Sequence, residues 1–168
     1  RAGTAMSWTP SPKVKICLTA PSIGDARGVQ RAPMMGPRLT QTRRDWLRQD
    51  ERRSVLRRQW ASFFERWDFV IAPVAATAAM KHDQQGYRWQ RMIPVNGRPQ
   101  PQTTQLYWAG YAGVVGLPAT AIPLGLTPDG LPVGAQIIGP AFGDLGCLRL
   151  ARWIETEYHG FQRPPLAA

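Results

Sequence analysis

Two β-type runs joined by a Pro-Asp-Gly turn constrain this chain more than any other feature. Ala119–Thr127 and Leu131–Gly139 are rich in β-branched and small apolar residues, and Pro128-Asp129-Gly130 between them is the chemistry of a tight hairpin. Pro123 and Pro132 lie inside these runs. Proline has no N–H to give a ladder, so each is expected at a sheet edge or a strand end. A polar residue, Asp144, then opens a helix expected to run to about Tyr158. Leu145, Leu148, Leu150, Ala151 and Ile154 are its expected apolar side, and Gly160 fits the residue after its end.

Upstream, the period changes. From about Thr40 to Trp67 the steps Leu56, Trp60, Phe63, Phe64 and Trp67 follow helical spacing and share one face, with arginines opposite. Thr42 is the expected N-cap, with Asp45 in the first turn. Asp68–Val74 is short, apolar and ended by Pro73, which predicts a buried strand. Ala75–Met80 is expected to continue as a turn of helix. His82–Gln102, with Gly86, Pro94, Gly97, Pro99 and Pro101, reads as a surface loop. Thr103 or Thr104 then caps a helix over about Gln105–Gly116. Residues 1–38 are broken by Pro and Gly and read as an irregular lead, with only Val14–Leu18 suited to a strand. The order of helix, strand, helix, strand, strand, helix is an α/β layout. It has few strands and a long irregular lead, so 39–168 reads as part of a larger sheet more than a closed domain.

Composition narrows the class. Hydrophobic residues make up 43% and charged residues 19%, enough for a packed core. No apolar run approaches the ~18–20 residues that cross a bilayer, so no membrane segment is expected. The chain begins Arg1-Ala2-Gly3, without Met and without a secretory core, which is expected of a fragment or a processed product. Cys17 and Cys147 are too few for a disulfide framework and suit a cytoplasmic protein with reduced thiols. His82 and His159 stand alone, so neither a metal site nor any cofactor is expected. The net charge of +10 is uneven: residues 1–67 hold 14 Lys/Arg against 5 Asp/Glu, and the remainder 7 against 6.

Three segments together resemble one family. They are Trp67–Val74, then Trp108-Ala109-Gly110 with Leu117–Gly125, then Gly130–Pro140 followed by Asp144 and the closing helix. Their order and spacing are similar to the carboxy-terminal region of amidase-signature enzymes, which include bacterial amidases and the A subunit of glutamyl-tRNA amidotransferase. The resemblance covers about Met35 to Pro165, and residues 1–32 fall outside it. It implies a large mixed sheet flanked by helices, and cleavage of carboxylic amide C–N bonds through a serine acyl-enzyme. It also implies a Ser nucleophile, a second Ser, a Lys and a glycine-rich oxyanion hole, all in a stretch upstream of the matched region. This chain has no Gly-Gly-Ser-Ser-Gly or similar run, and Lys13, Lys15 and Lys81 lack that context. No catalytic residue is assigned in it. A hydroxyl is a weak nucleophile without a base and donors for the developing oxyanion, so Ser7, Ser11, Ser22, Ser54 and Ser62 read as surface or capping serines.

The resemblance also implies that the helix before Leu117 lines the acyl pocket. Amidotransferase relatives carry an Asp near its start that holds the ammonium of glutamine, and the matching position here is Leu106. Leu106, Tyr107 and Trp108 are therefore the expected substrate-binding residues, with a small-molecule amide less charged than glutamine as substrate. Core packing is the competing role for Tyr107 and Trp108. Gln136 reads as an ordinary strand residue, and Gly125, Gly130, Gly134 and Gly139 as positions of tight turning and close strand approach.

Two other classes compete. The arginines from Arg43 to Arg66 could serve a nucleic-acid-binding module, but Asp45, Asp50, Glu51 and Glu65 interleave with them and no RNA-binding or zinc-finger signature is present. Alternatively the chain is a non-catalytic structural piece that acts only with a partner chain. A homo-oligomer is also open. Unpaired sheet edges predict aggregation or partial order in isolation.

Overall fold

The computed structural model describes residues 12–16 and 41–163. Six strands and three α-helices follow in the order β1 (Val14–Ile16), α1 (Arg43–Phe64), β2 (Phe69–Pro73), β3 (Met92–Val95), β4 (Arg98–Pro101), α2 (Gln105–Gly113), β5 (Ala119–Leu126), β6 (Pro132–Ile138) and α3 (Asp144–Glu157). One sheet has the strand order β1-β2-β6-β5, and β3-β4 form a separate hairpin. β1 runs parallel to β2, while β2/β6 and β5/β6 are antiparallel, so the main sheet is mixed, as the family resemblance implied.

The Pro-Asp-Gly hairpin is the spine of the sheet. Pro132 is the first residue of β6, and Pro123 lies on β5, the edge strand of the described sheet. The register slips between Pro123 and Gly125, where Leu124 is the extra residue of a bulge and Gly125 takes φ 130°. Close approach explains two other glycines. A Cβ on Gly134 would stand 2.9 Å from the Ile122 carbonyl oxygen, and one on Gly139 would stand 2.6 Å from the Cys147 sulfur.

Side-chain alternation divides the core between the two faces of the sheet. Phe69 on β2, Ala135 and Ile137 on β6 and Ile122 on β5 meet Cys147 and Leu150 of α3. Val70, Ala72 and Ile138 point to the other face and meet Trp108 and Ala112 of α2, with Trp60, Phe63 and Phe64 of α1 beside them. The result is three layers: α3, the sheet, then α1 with α2. Thr42 caps α1 as expected, its hydroxyl accepting from the Asp45 N–H at 3.2 Å.

Several expectations are corrected. The 82–102 segment is not plain loop, because Met92–Val95 and Arg98–Pro101 pair around Asn96-Gly97, both with positive φ. That dipeptide is a strong two-residue hairpin signal, and the prolines around it masked the alternation. Pro94 and Pro99 face each other one step in from the closing Val95–Arg98 pair. Bonding and non-bonding pairs alternate along an antiparallel ladder, so two residues without an N–H sit where none is required. The 74–78 segment forms bends rather than helix. α2 ends at Gly113 instead of Gly116, and no threonine side chain caps it: Thr104 is helical, and its hydroxyl donates to the Pro101 carbonyl. On α3 the buried face is Cys147 and Leu150, flanked by Ala151 and Ile154, while Leu145 and Leu148 are exposed. The helix ends at Glu157 with Tyr158 as its C-cap, close to the expected end at about Tyr158, and Gly160 follows two residues after the cap. β1 covers Val14–Ile16 of the expected strand, and Cys17 and Leu18 lie outside the described residues.

Candidate functional site

The first turn of α2 is held from two sides by glutamines. Gln105 opens the helix and reaches the segment leaving β2. Its Oε1 accepts from the Ala76 N–H at 2.6 Å, and its Nε2 donates to the Thr77 hydroxyl at 2.5 Å. Gln136 comes up from β6 and is only 5% exposed. Its Nε2 donates to the carbonyls of Pro73 and Trp108, both at 2.8 Å. One side-chain amide thus ties the end of β2 to the middle of α2. From its sequence context Gln136 reads as an ordinary strand residue; the structure makes it a buried cross-brace. Its polarity at a position flanked by Ala135, Ile137 and Ile138 was the available signal, since buried amides are retained with partners.

The three residues expected to bind substrate sit side by side on this turn and divide by exposure. Leu106 is 52% exposed and Tyr107 38%, whereas Trp108 is 8% exposed and packs among Val70, Ala72, Ala112 and Ile138. Trp108 therefore has the core-packing role that competed with pocket lining. Tyr107 lies edge-on to the Trp108 ring at 5.5 Å, and Tyr111 joins the pair to Trp60 of α1, 5.2 Å away. The turn presents an exposed Leu106 next in sequence to a cluster of packed aromatic rings. Such a surface favours apolar groups and offers no carboxylate to a cation.

Ser54 and Ser62 both lie on α1, and Ser7, Ser11 and Ser22 lie outside the described residues. Lys13, Lys15 and Lys81 are exposed, with the Lys15 ammonium 5.5 Å above the Trp67 ring. Cys147 is a free, buried thiol whose pKa is pushed up to about 11, first by burial and then by the nearby Asp144 charge. It is a packing residue, since a reactive cysteine needs an accessible thiolate. Among the described residues no three His, Cys, Asp or Glu side chains converge to hold a metal, and no helix is long and apolar enough to cross a membrane.

A second feature lies on the α3 face of the sheet. It is a trough of about 1260 Å³ that runs over all four strands of the main sheet and along one flank of α3. Neither Leu106, Tyr107 nor Trp108 lines it.

Comparison with known proteins gives the family of this segment. The Amidase family model matches residues 26–148. The chain is 34% identical over 121 residues to the A subunit of glutamyl-tRNA(Gln) amidotransferase from Exiguobacterium sp., a match covering 68% of this chain and 22% of the relative. A solved structure described as a vestigial protein complex bearing on the origins of an s-triazine catabolic enzyme superposes with a TM-score of 0.60 at 27% identity. That likeness covers 70% of this chain and 25% of the other. A bacterial aryl acylamidase of the amidase-signature family superposes with a TM-score of 0.52 at 25% identity, over 64% of this chain and 22% of the other. The chain spans about a quarter or less of the length of these relatives. The family model covers most of the chain and the superposed folds agree with it, so the chain belongs to the amidase family of amidase-signature enzymes.

Proposed function

We propose that this chain is the part of an amide hydrolase that supplies scaffold and one wall of the acyl pocket, with the nucleophile, its proton acceptor and the oxyanion donors contributed from elsewhere in the domain. The observation that carries this reading is the doubly braced first turn of α2, which presents Leu106 and Tyr107 while burying Trp108. A wall held by hydrogen bonds at both ends keeps an acyl group within reach of a distant nucleophile, and such positioning is worth large factors in rate. Leu106 selects an acyl group without a charged amine, because burying an ammonium against Leu and aromatic rings leaves it unpaired. The substrate is a small carboxamide with an apolar acyl side. The unpaired, buried Cys147 supports a cytoplasmic setting, where thiols stay reduced.

The test compares ammonia release from glutamine and from apolar carboxamides, in the complete protein that carries this chain. Apolar amides should be the better substrates, and Leu106→Asp should shift the ratio of kcat/KM toward glutamine by about tenfold or more, roughly 1.4 kcal/mol. The 168-residue chain alone should show no turnover. Preference for glutamine in the wild type, or amide cleavage by the isolated chain that is lost on changing Ser54 or Ser62, would refute the reading.

A further inference from the structure

We infer that Gln102 recognises a neutral hydrogen-bond donor, a hydroxyl or an N–H, on the acyl side of the substrate. The inference rests on the reading of α2 as one wall of the acyl pocket, and it names what that wall recognises besides apolar surface. Gln102 opens a short 3₁₀ turn, Gln102–Thr104, that runs directly into α2 at Gln105. It therefore lies about one helical turn before Leu106, and residues three and four apart are neighbours on a helix surface. Its backbone is held, with the Gln102 N–H donating to the Arg91 carbonyl at 2.9 Å.

The side chain is satisfied at one end. Nε2 donates to the Met80 sulfur at 3.4 Å, whereas Oε1 is shielded from solvent and accepts no hydrogen bond from any described residue. Reversing the amide would set its oxygen against the sulfur, acceptor against acceptor. Gln105, three residues on, is the contrast. It reaches the same 76–80 segment, and both its ends are used, by the Ala76 N–H and the Thr77 hydroxyl. Buried polar atoms without a partner are few in native proteins, and each needs a reason. An apolar side chain of similar shape would fill the place with no unmet acceptor. A polar group kept against local stability marks a functional position. The amide oxygen only accepts, so what it meets is a donor. It carries no charge, so it satisfies a neutral O–H or N–H and gives an ammonium no counterion, in keeping with Leu106 one turn on. Access runs past Met80, whose unbranched side chain is 36% exposed and touches the amide through one long bond.

The sign of the effect separates this reading from a purely apolar wall. An apolar wall prefers a methyl to a hydroxyl, because the hydroxyl gives up water and gains no partner. A wall that carries Oε1 prefers the hydroxyl, because a methyl leaves the acceptor unmet. The test uses the complete protein that carries this chain and two pairs of carboxamides that exchange methyl for hydroxyl. They are butyramide with β-hydroxypropionamide, and para-methylphenylacetamide with para-hydroxyphenylacetamide. In at least one pair the hydroxyl member should have the higher kcat/KM by about tenfold or more. Gln102→Met should bring that ratio to about one or below, and the melting temperature should not fall. The ratio is taken within one preparation, so partial misfolding of the variant does not disturb it. A wild-type ratio under tenfold in both pairs overturns the inference, as does a ratio that survives Gln102→Met. A lower melting temperature in Gln102→Met also overturns it, because Oε1 is then bonded within the protein. Equal rates within the pairs, with apolar amides still ahead of glutamine, sink this inference alone; a preference for glutamine sinks the pocket reading beneath it.

Discussion

The β6–α3 unit and helix α1 contribute to the same core in opposite ways. β6 and α3 bury Ile137, Ile138, Cys147 and Leu150 almost completely. Among the described residues α1 is the longest helix at 22 residues, yet none of its residues is buried. Only Trp60, Phe63 and Phe64, near its end, pack against the sheet, joined by a bond from the Arg57 guanidinium to the Val115 carbonyl at 3.3 Å. Its first turns show Trp46 and Leu47 to solvent. Its ion pairs, Arg48–Asp45 and Arg53–Asp50, are exposed and 3.6–3.8 Å long, a class worth little. The first unit sits at the centre of both core clusters, meeting Phe69 and Ile122 on one face of the sheet and Val70, Trp108 and Ala112 on the other. The second touches the core only near its end and leaves the rest of its length exposed among the described residues.

The sharpest way to break that contrast is to truncate its buried end. Ile137→Ala should cost about 2–5 kcal/mol, because a side chain sealed on all sides leaves a cavity, and urea denaturation should show it as a large drop in midpoint. Gln136→Leu comes next. It leaves the Pro73 and Trp108 carbonyls without a donor in a buried place, at about 1–3 kcal/mol. Hydrogen exchange should then quicken in α2 and at the end of β2 more than in α3. If exchange rises evenly, Gln136 is not the brace between them.

Cys147 tests the buried unit through pH. Its thiol titrates near 11 in the folded chain against 9.0 for an ordinary cysteine. The folded state therefore holds its proton more tightly, and stability from this group is complete below about pH 9 and falls as pH rises toward 11. The difference in urea midpoint between wild type and Cys147→Ala should narrow over that window, and a constant difference would place the thiol in water. At the small end stands α1. Leu47→Ala should change stability by less than about 0.5 kcal/mol in the isolated chain, the usual range for exposed sites. A large loss there would erase the distinction between the two regions.

Leu106, Tyr107 and Trp108 fall on one turn of α2, a helix the sequence predicted, but their division into exposed and buried was not readable. A short helix rich in Gly and aromatic residues has no dominant apolar stripe, so the sheet decides which residue turns inward. The same holds for α3. Leu145, Leu148, Leu150, Trp153 and Ile154 ring the helix nearly all round, and Cys147 won the buried face through its fit beneath Gly139. Asn96-Gly97 was legible and was outweighed by three neighbouring prolines.

The sequence alone determined the elements whose signals are local: the hairpin, the cap at Thr42, the strand from Phe69 to Pro73 and the family pattern that spans them. Local signals persist because turn geometry, capping and side-chain period depend on residues within a few positions of one another. Only the tertiary structure decided which helix face meets the sheet and that Gln136 braces α2. Those outcomes depend on volumes and donors brought together from residues 28 to 63 positions apart, a distance over which no local spacing rule operates.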